Sequence, residues 1–262
     1  TIPSFNFCTM LITIYNTIFY QPILNLLIFL YNILPGQDIG FAIIVLTVIV
    51  KVILLLPSAQ SIRSQKALQA VQPEIDALKQ KYGKDKEGLA KELMGVYKRN
   101  KVNPLSSCLP VLIQLPFLIA VYQAFRAGLA STENLKALLY PFVAHPTMIQ
   151  TTFLWVLDLA KPSIALAVFA GAAQWWQTKM LMHKRPSVKV PGSKDEDMTA
   201  IINKQMMYMM PVMTIVISMS LPSGLALYWL VTTLLTVVQQ LYIFKQKPAL
   251  AVIAASNATH QK

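Results

Sequence analysis

Residues 39–57 read IGFAIIVLTVIVKVILLLP, a run whose only charged side chain is Lys51. A helix crossing the hydrocarbon core needs about 20 predominantly apolar residues, so this run is read as a transmembrane span. The whole chain agrees with it: 55% of the 262 residues are hydrophobic, 13% are charged, and mean hydropathy is +0.51. That balance excludes an ordinary water-soluble globule.

C-terminal to the first run lie three further apolar stretches, at 104–125, 162–181 and 205–244. As one helix the last would rise roughly 60 Å, about twice the thickness it has to cross. Leu221-Pro222-Ser223-Gly224 at its middle is a turn signal. Two antiparallel spans, 205–220 and 224–244, replace it. The expected fold class is all-α: a polytopic membrane protein with a five-span core over 39–245.

Net charge of +12 raises the question of nucleic acid, and the placement of the 23 Lys and Arg answers it. Ten lie in 58–103, six in 179–204 and three after 244, against Arg126, Lys136 and Lys161 on the other side. This is the positive-inside pattern, and it puts the C-terminus and the short tail 246–262 in the cytoplasm. Cys8 and Cys108 form neither a disulfide framework nor a metal site.

Residues 1–37 carry no charge, and Pro22 and Pro35-Gly36 interrupt them. Gln21, Asn25 and Asn32 fall near one helical stripe, so an interfacial helix over 20–34 is expected within an N-terminal segment 1–38. A sixth span bent at Pro22 is the competing reading. No basic n-region with a small-residue cleavage site marks a signal peptide.

The long polar region 58–103 repeats an amphipathic pattern twice. Val71, Ile75, Leu78 and Tyr82 form one stripe, and Leu89, Leu93 and Val96 form the second. Two helices joined around Gly83 make a cytoplasmic hairpin, with each arm roughly 25 to 35 Å long.

Lys51 is the first candidate functional residue, because an ammonium within apolar thickness costs several kcal/mol unless something polar receives it. Snorkelling to the headgroups is the bland alternative. No span supplies an Asp or Glu, but Gln114, Gln123, Gln174, Ser218, Ser220, Thr232, Thr233 and Thr236 are available to line a wet cavity. Such residues also serve simply as interhelical hydrogen-bond partners. Met206, Met207, Met209, Met210 and Met213 suit adaptable packing. Enzymatic chemistry has no support: His145, His183 and His260 lie outside the spans, and Ser223 lacks a nucleophile-elbow frame. Neither a cofactor loop nor a metal set appears.

Gly40-Phe41-Ala42-Ile43-Ile44, Val50-Lys51-Val52, Gln72-Pro73-Glu74-Ile75 and Val102-Asn103-Pro104-Leu105 occur in that order, followed by Cys108-Leu109-Pro110 and Leu112-Ile113-Gln114-Leu115-Pro116. Met209-Met210-Pro211, Leu221-Pro222-Ser223-Gly224, Leu227-Tyr228-Trp229 and Gln239-Gln240 complete the series. Singly these are weak motifs, but the ordered set resembles the core of the YidC/Oxa/Albino insertase family over about residues 20–245.

The resemblance implies a hydrophilic groove open to the cytoplasm and to lipid, with Lys51 at the family's positive position and Gln114, Tyr228 and Trp229 at groove or client-facing positions. Thr232 is added from the polar lining. Most bacterial relatives have Arg where this chain has Lys51, which keeps the charge and loses the planar fork. The 20–34 segment resembles the family's peripheral helix. There is no room for the large periplasmic domain of many relatives, Cys8 lacks a lipobox, and the tail lacks a long ribosome-binding extension.

The expectation is a membrane protein insertase and chaperone of the bacterial plasma (inner) membrane. Its partners would be nascent membrane-protein clients, the lipid bilayer and, through the hairpin, the ribosome and the Sec translocon. No small-molecule substrate is expected. A transporter or channel subunit binding an anion at Lys51 is the alternative, and a scaffold recruiting cytosolic partners is a third.

Overall fold

The computed structural model describes residues 7–82, 85–103, 109–130, 135–181 and 194–245. Outside them fall the start of the second expected span with Cys108, the Gly83-Lys84 turn, His183 and the tail with His260. The described part is helical apart from one small hairpin in a loop, as an all-α membrane protein should be.

Helix α1 (Phe7–Tyr15) continues through a π-helical turn (Asn16–Tyr20) into α2 (Gln21–Ile33). Pro22 lacks an N–H and cannot serve a regular helical ladder. The wider turn just before it carries the chain on, with the Gln21 N–H donating to Asn16 O. The chain then reverses at Pro35-Gly36, where Gly36 has φ +82°. Asp38 caps α3 (Ile39–Ile53), its Oδ1 accepting from the Gly40 N–H at 2.7 Å.

Within the first expected span, 39–57, the helix breaks. Helix α3 stops at Ile53, and α4 (Leu55–Tyr82) leaves at 69°. Pro57 has no N–H to return to the carbonyl four residues back, that of Ile53, so the helical ladder has its gap there. The first hairpin arm therefore begins at Leu55, and Lys51 falls in the last turn of α3.

Helix α5 (Lys86–Arg99) folds back along α4. The predicted stripes meet: Val71, Ile75, Val96 and Val102 form a buried cluster with Leu78 and Leu93 packed against it. Glu74 takes a 3.0 Å ion pair from Arg99 and a 3.1 Å hydrogen bond from Asn100 at the open end.

Helix α6 (Leu109–Ala130) leads into the loop 135–163, which carries the two-residue strands β1 (Thr152–Phe153) and β2 (Leu157–Asp158). Helices α7 (Ile164–Leu181), α8 (Lys194–Ser220) and α9 (Ser223–Lys245) complete the chain. Leu24 and Ile28 of α2, Ile43 and Leu46 of α3, Val121 and Phe125 of α6, Leu135 and Leu159 of the loop, and Leu225 and Tyr228 of α9 share one core. Helices α7 and α8 come close at Gly171, where a Cβ would collide with the Ile215 side chain.

The loop is fastened to the bundle by buried polar groups. Asn25 Nδ2 donates to Leu138 O at 3.1 Å, and its Oδ1 accepts from the Tyr140 N–H at 2.6 Å. The Tyr31 hydroxyl bridges Met148 O and the Gln150 N–H. Ser223 and Gly224, opening α9, donate their backbone N–H groups to Lys161 O and Leu159 O. The loop thus caps one end of the bundle, and the α4–α5 hairpin stands at the other.

By length and composition, Thr9–Ile33 and Ser223–Lys245 can each cross a membrane, and the bent pair α3 and α4 adds a third candidate. Leu112–Ala127 and Met207–Ser220 are shorter apolar helices.

Candidate functional site

Helices α3 and α9 both start at the capped end and run side by side toward the hairpin. Lys51 is twelve residues into α3 and Thr236 thirteen into α9, so both lie roughly 20 Å along their axes. At that level Lys51 Nζ donates to Thr236 Oγ1 at 2.7 Å. The partner is a neutral hydroxyl on another apolar helix, nine residues before the end of α9, and the lysine is half-buried. Its stem does not carry the ammonium clear of the bundle.

Helical spacing supplies the rest of the row. Tyr228, Thr232 and Thr236 recur every four residues, so α9 presents them on one face. Thr236 Oγ1 donates to Thr232 O at 2.7 Å, which leaves its lone pairs free for the ammonium. One helix away, Gln114 Nε2 of α6 donates to the Tyr228 hydroxyl. The Thr232 hydroxyl lies beside Tyr228 yet outside hydrogen-bonding geometry with any protein group. Lys51, Thr236, Thr232, Tyr228 and Gln114 therefore form one polar track across α3, α9 and α6.

This track is not fully satisfied by protein. An ammonium has three N–H donors, and Thr236 receives one of them. Gln123 Oε1, Ser218 Oγ, Thr232 Oγ1 and Gln240 Oε1 are all buried without a hydrogen-bond partner. Buried polar atoms are nearly always paired with protein or water, so these four stand out in the apolar bundle.

Other sequence candidates are not joined to the track by the hydrogen bonds seen here. Trp229 is half-buried and about 100° around α9 from Tyr228. On α7, Thr178 Oγ1 returns to Gln174 O. Ser220 Oγ likewise returns to Val216 O.

Two residues outside the expected groove set prove central. Thr236 is the ammonium's partner, and its sequence signal was a hydroxyl within an apolar span, shared with seven other polar residues. Gln239 accepts from Ser58 Oγ at 2.8 Å and donates to Leu55 O at 3.2 Å, tying α9 to the α3–α4 break. Nearby, Lys66 Nζ donates to Ile243 O and Phe244 O, capping the C-terminus of α9. Among the described residues, no three His, Cys, Asp or Glu side chains converge to hold a metal.

A family model described as 60Kd inner membrane protein matches residues 29–249. The chain is 36% identical over 210 residues to the membrane protein insertase YidC of Fusobacterium nucleatum, covering 80% of this chain and 87% of that protein. It is 33% identical over 236 residues to membrane protein insertase YidC 1 of Halalkalibacterium halodurans, covering 88% and 79%. Against the membrane protein insertase YidC of Geotalea daltonii it is 33% identical over 231 residues, but spans only 38% of that longer protein.

Proposed function

Because the chain belongs to the YidC/Oxa family of inner membrane proteins, which is not an enzyme family, we propose that it is a membrane protein insertase and chaperone. Its clients would be nascent membrane proteins, received in a hydrophilic groove formed by Lys51, Gln114, Tyr228, Trp229 and Thr232, with Thr236 as the lysine's support.

The observation that carries this reading is the Lys51 to Thr236 hydrogen bond. It holds a cation within an apolar helix pair against a neutral partner, so the charge remains available. A polar client segment entering lipid must shed water at a cost of several kcal/mol for each unsatisfied or charged group. A wet recess shortens the dry path, and the ammonium draws in acidic residues ahead of an apolar stretch. The apolar stretch then partitions sideways into lipid. No covalent bond changes.

The proposed organisation keeps an N-terminal segment with a peripheral helix, a five-span core, a cytoplasmic hairpin and a cytoplasmic C-terminus. The packed α4–α5 arms and their basic residues are the proposed docking surface for the ribosome and the Sec translocon.

Complementation of a strain depleted of its own insertase tests the mechanism. Lys51→Arg should restore insertion. Lys51→Ala should slow clients with acidic translocated segments about tenfold or more, which corresponds to a barrier raised by about 1.4 kcal/mol. Normal insertion of every client by Lys51→Ala would remove the cationic groove from the account.

A further inference from the structure

We infer that the turn at residues 153–156 is a lipid anchor, lodging Trp155 and Val156 among the headgroups and upper acyl chains at the capped end of the bundle.

The backbone of this turn is unusual for its sequence. Phe153 pairs with Leu157, and the Val156 N–H closes the turn onto Phe153 O at 3.2 Å. Leu154 and Trp155 have φ of +51° and +64°, the type I′ pattern that favours Asn-Gly. Bulky side chains occupy these angles at an energetic cost. The protein gives little packing in return: Leu154 is 53% exposed, Trp155 89% and Val156 88%.

The turn is also held at a defined level. Phe153 lies over Gly40, where a Cβ would collide with its ring, and it packs edge-on against Phe41 at 5.4 Å. Asp38, the N-cap of α3, accepts from the Leu154 N–H at 2.9 Å. Across the hairpin, Asp158 O accepts from Ser223 Oγ at the start of α9. The tip therefore sits beside the first turns of two apolar helices, next to the exposed ring of Phe41. That is the depth of a membrane interface, where Trp is enriched because its ring is apolar and its N–H is polar.

Charge selects lipid over a water-facing role. From residue 137 to 157 there is no Asp, Glu, Lys or Arg. The first charges beyond are Lys136 and the Asp158–Lys161 pair. A loop tip facing solvent ordinarily carries polar turn residues. This inference rests on membrane location alone and is independent of the Lys51 groove.

The test uses the full chain in vesicles of phosphatidylethanolamine and phosphatidylglycerol, with Trp175, Trp176 and Trp229 changed to Phe so that Trp155 alone emits. Expected are blue-shifted emission, strong loss of intensity with lipids brominated near the headgroup end of the acyl chain, and protection from aqueous iodide. Should that triple variant fail to fold, Trp155→Phe in the otherwise unchanged chain should remove the interfacial, lipid-quenched component. Red-shifted emission quenched by iodide would place the tip in water and overturn the inference. Emission quenched by neither agent would mean that protein covers the tip, from a neighbour or a second copy, and would overturn it equally.

Discussion

Lys51 was legible because one charge in a long apolar run demands a receiver, whatever the fold. What receives it was not legible. Thr236 is one of eight uncharged polar residues weighed on the spans, and threonines in membrane helices commonly bond only their own helix. Only the parallel packing of α3 on α9 sets the two residues at the same depth. Thr236→Val keeps the shape and removes the acceptor, so the ammonium should turn more fully toward water or client. Insertion of acidic clients should fall by less than with Lys51→Ala in the same complementation assay, and stability in detergent should drop by about 1 to 3 kcal/mol. At the capped end, Asp158 makes a half-buried counterpart. Its hydrogen bond from Lys161, and then that from the Ala160 N–H, hold its carboxyl below the usual carboxylate range. A depressed folded-state pKa contributes stability above the unfolded value of about 4, and that contribution disappears as pH falls through the folded value. Thermal unfolding in detergent should therefore show an acid-side loss below about pH 4 that is reduced in Asp158→Asn.

The amphipathic arms of the hairpin could be read at the scale of the element, because two apolar stripes with matching period have to face each other. Their meeting in the cluster of Val71, Ile75, Val96 and Val102 follows from that pattern. The α3–α4 break was hidden because Val52 to Leu56 is as apolar as what precedes it, so hydropathy shows no boundary. Pro57 was the signal, acting four residues upstream through its missing N–H. Gln239 and Lys66 then fasten the start and the first turns of α4 to α9. The hairpin's own core is small and separate from the main core, so its stability should be local. Val96→Ala should cost roughly 1 to 2 kcal/mol, read as faster amide exchange confined to α4 and α5. Faster exchange spreading equally into α9 would show that the two parts unfold together.

At the scale of the molecule, two ends are chemically distinct. One is the uncharged loop 137–157 bonded to Asn25, Tyr31 and Asp38; the other is the lysine-rich hairpin rooted against the end of α9. The N-terminal rod was read only in part. Pro22 suggested the limit of an interfacial helix or a bend, whereas a π turn carries α1 into α2 and sets Tyr15 against Pro116 O and Phe19 against Phe117. No residue count could reveal that path, since it depends on α6 lying alongside. The distribution of charge nevertheless makes a sharp prediction of sidedness. Nineteen of 23 Lys and Arg lie in 58–103, 179–204 and the tail, and moving that charge across the membrane is opposed by both desolvation and the membrane potential. Single cysteines in the Cys8→Ser, Cys108→Ser background should report it with a membrane-impermeant maleimide. Positions Phe142 and Met148 should react in intact spheroplasts, and Glu87 and Asn100 only after lysis. Reaction of Glu87 from outside would invert the chain, leaving Lys51 nearer the external face and the hairpin unable to meet any ribosome.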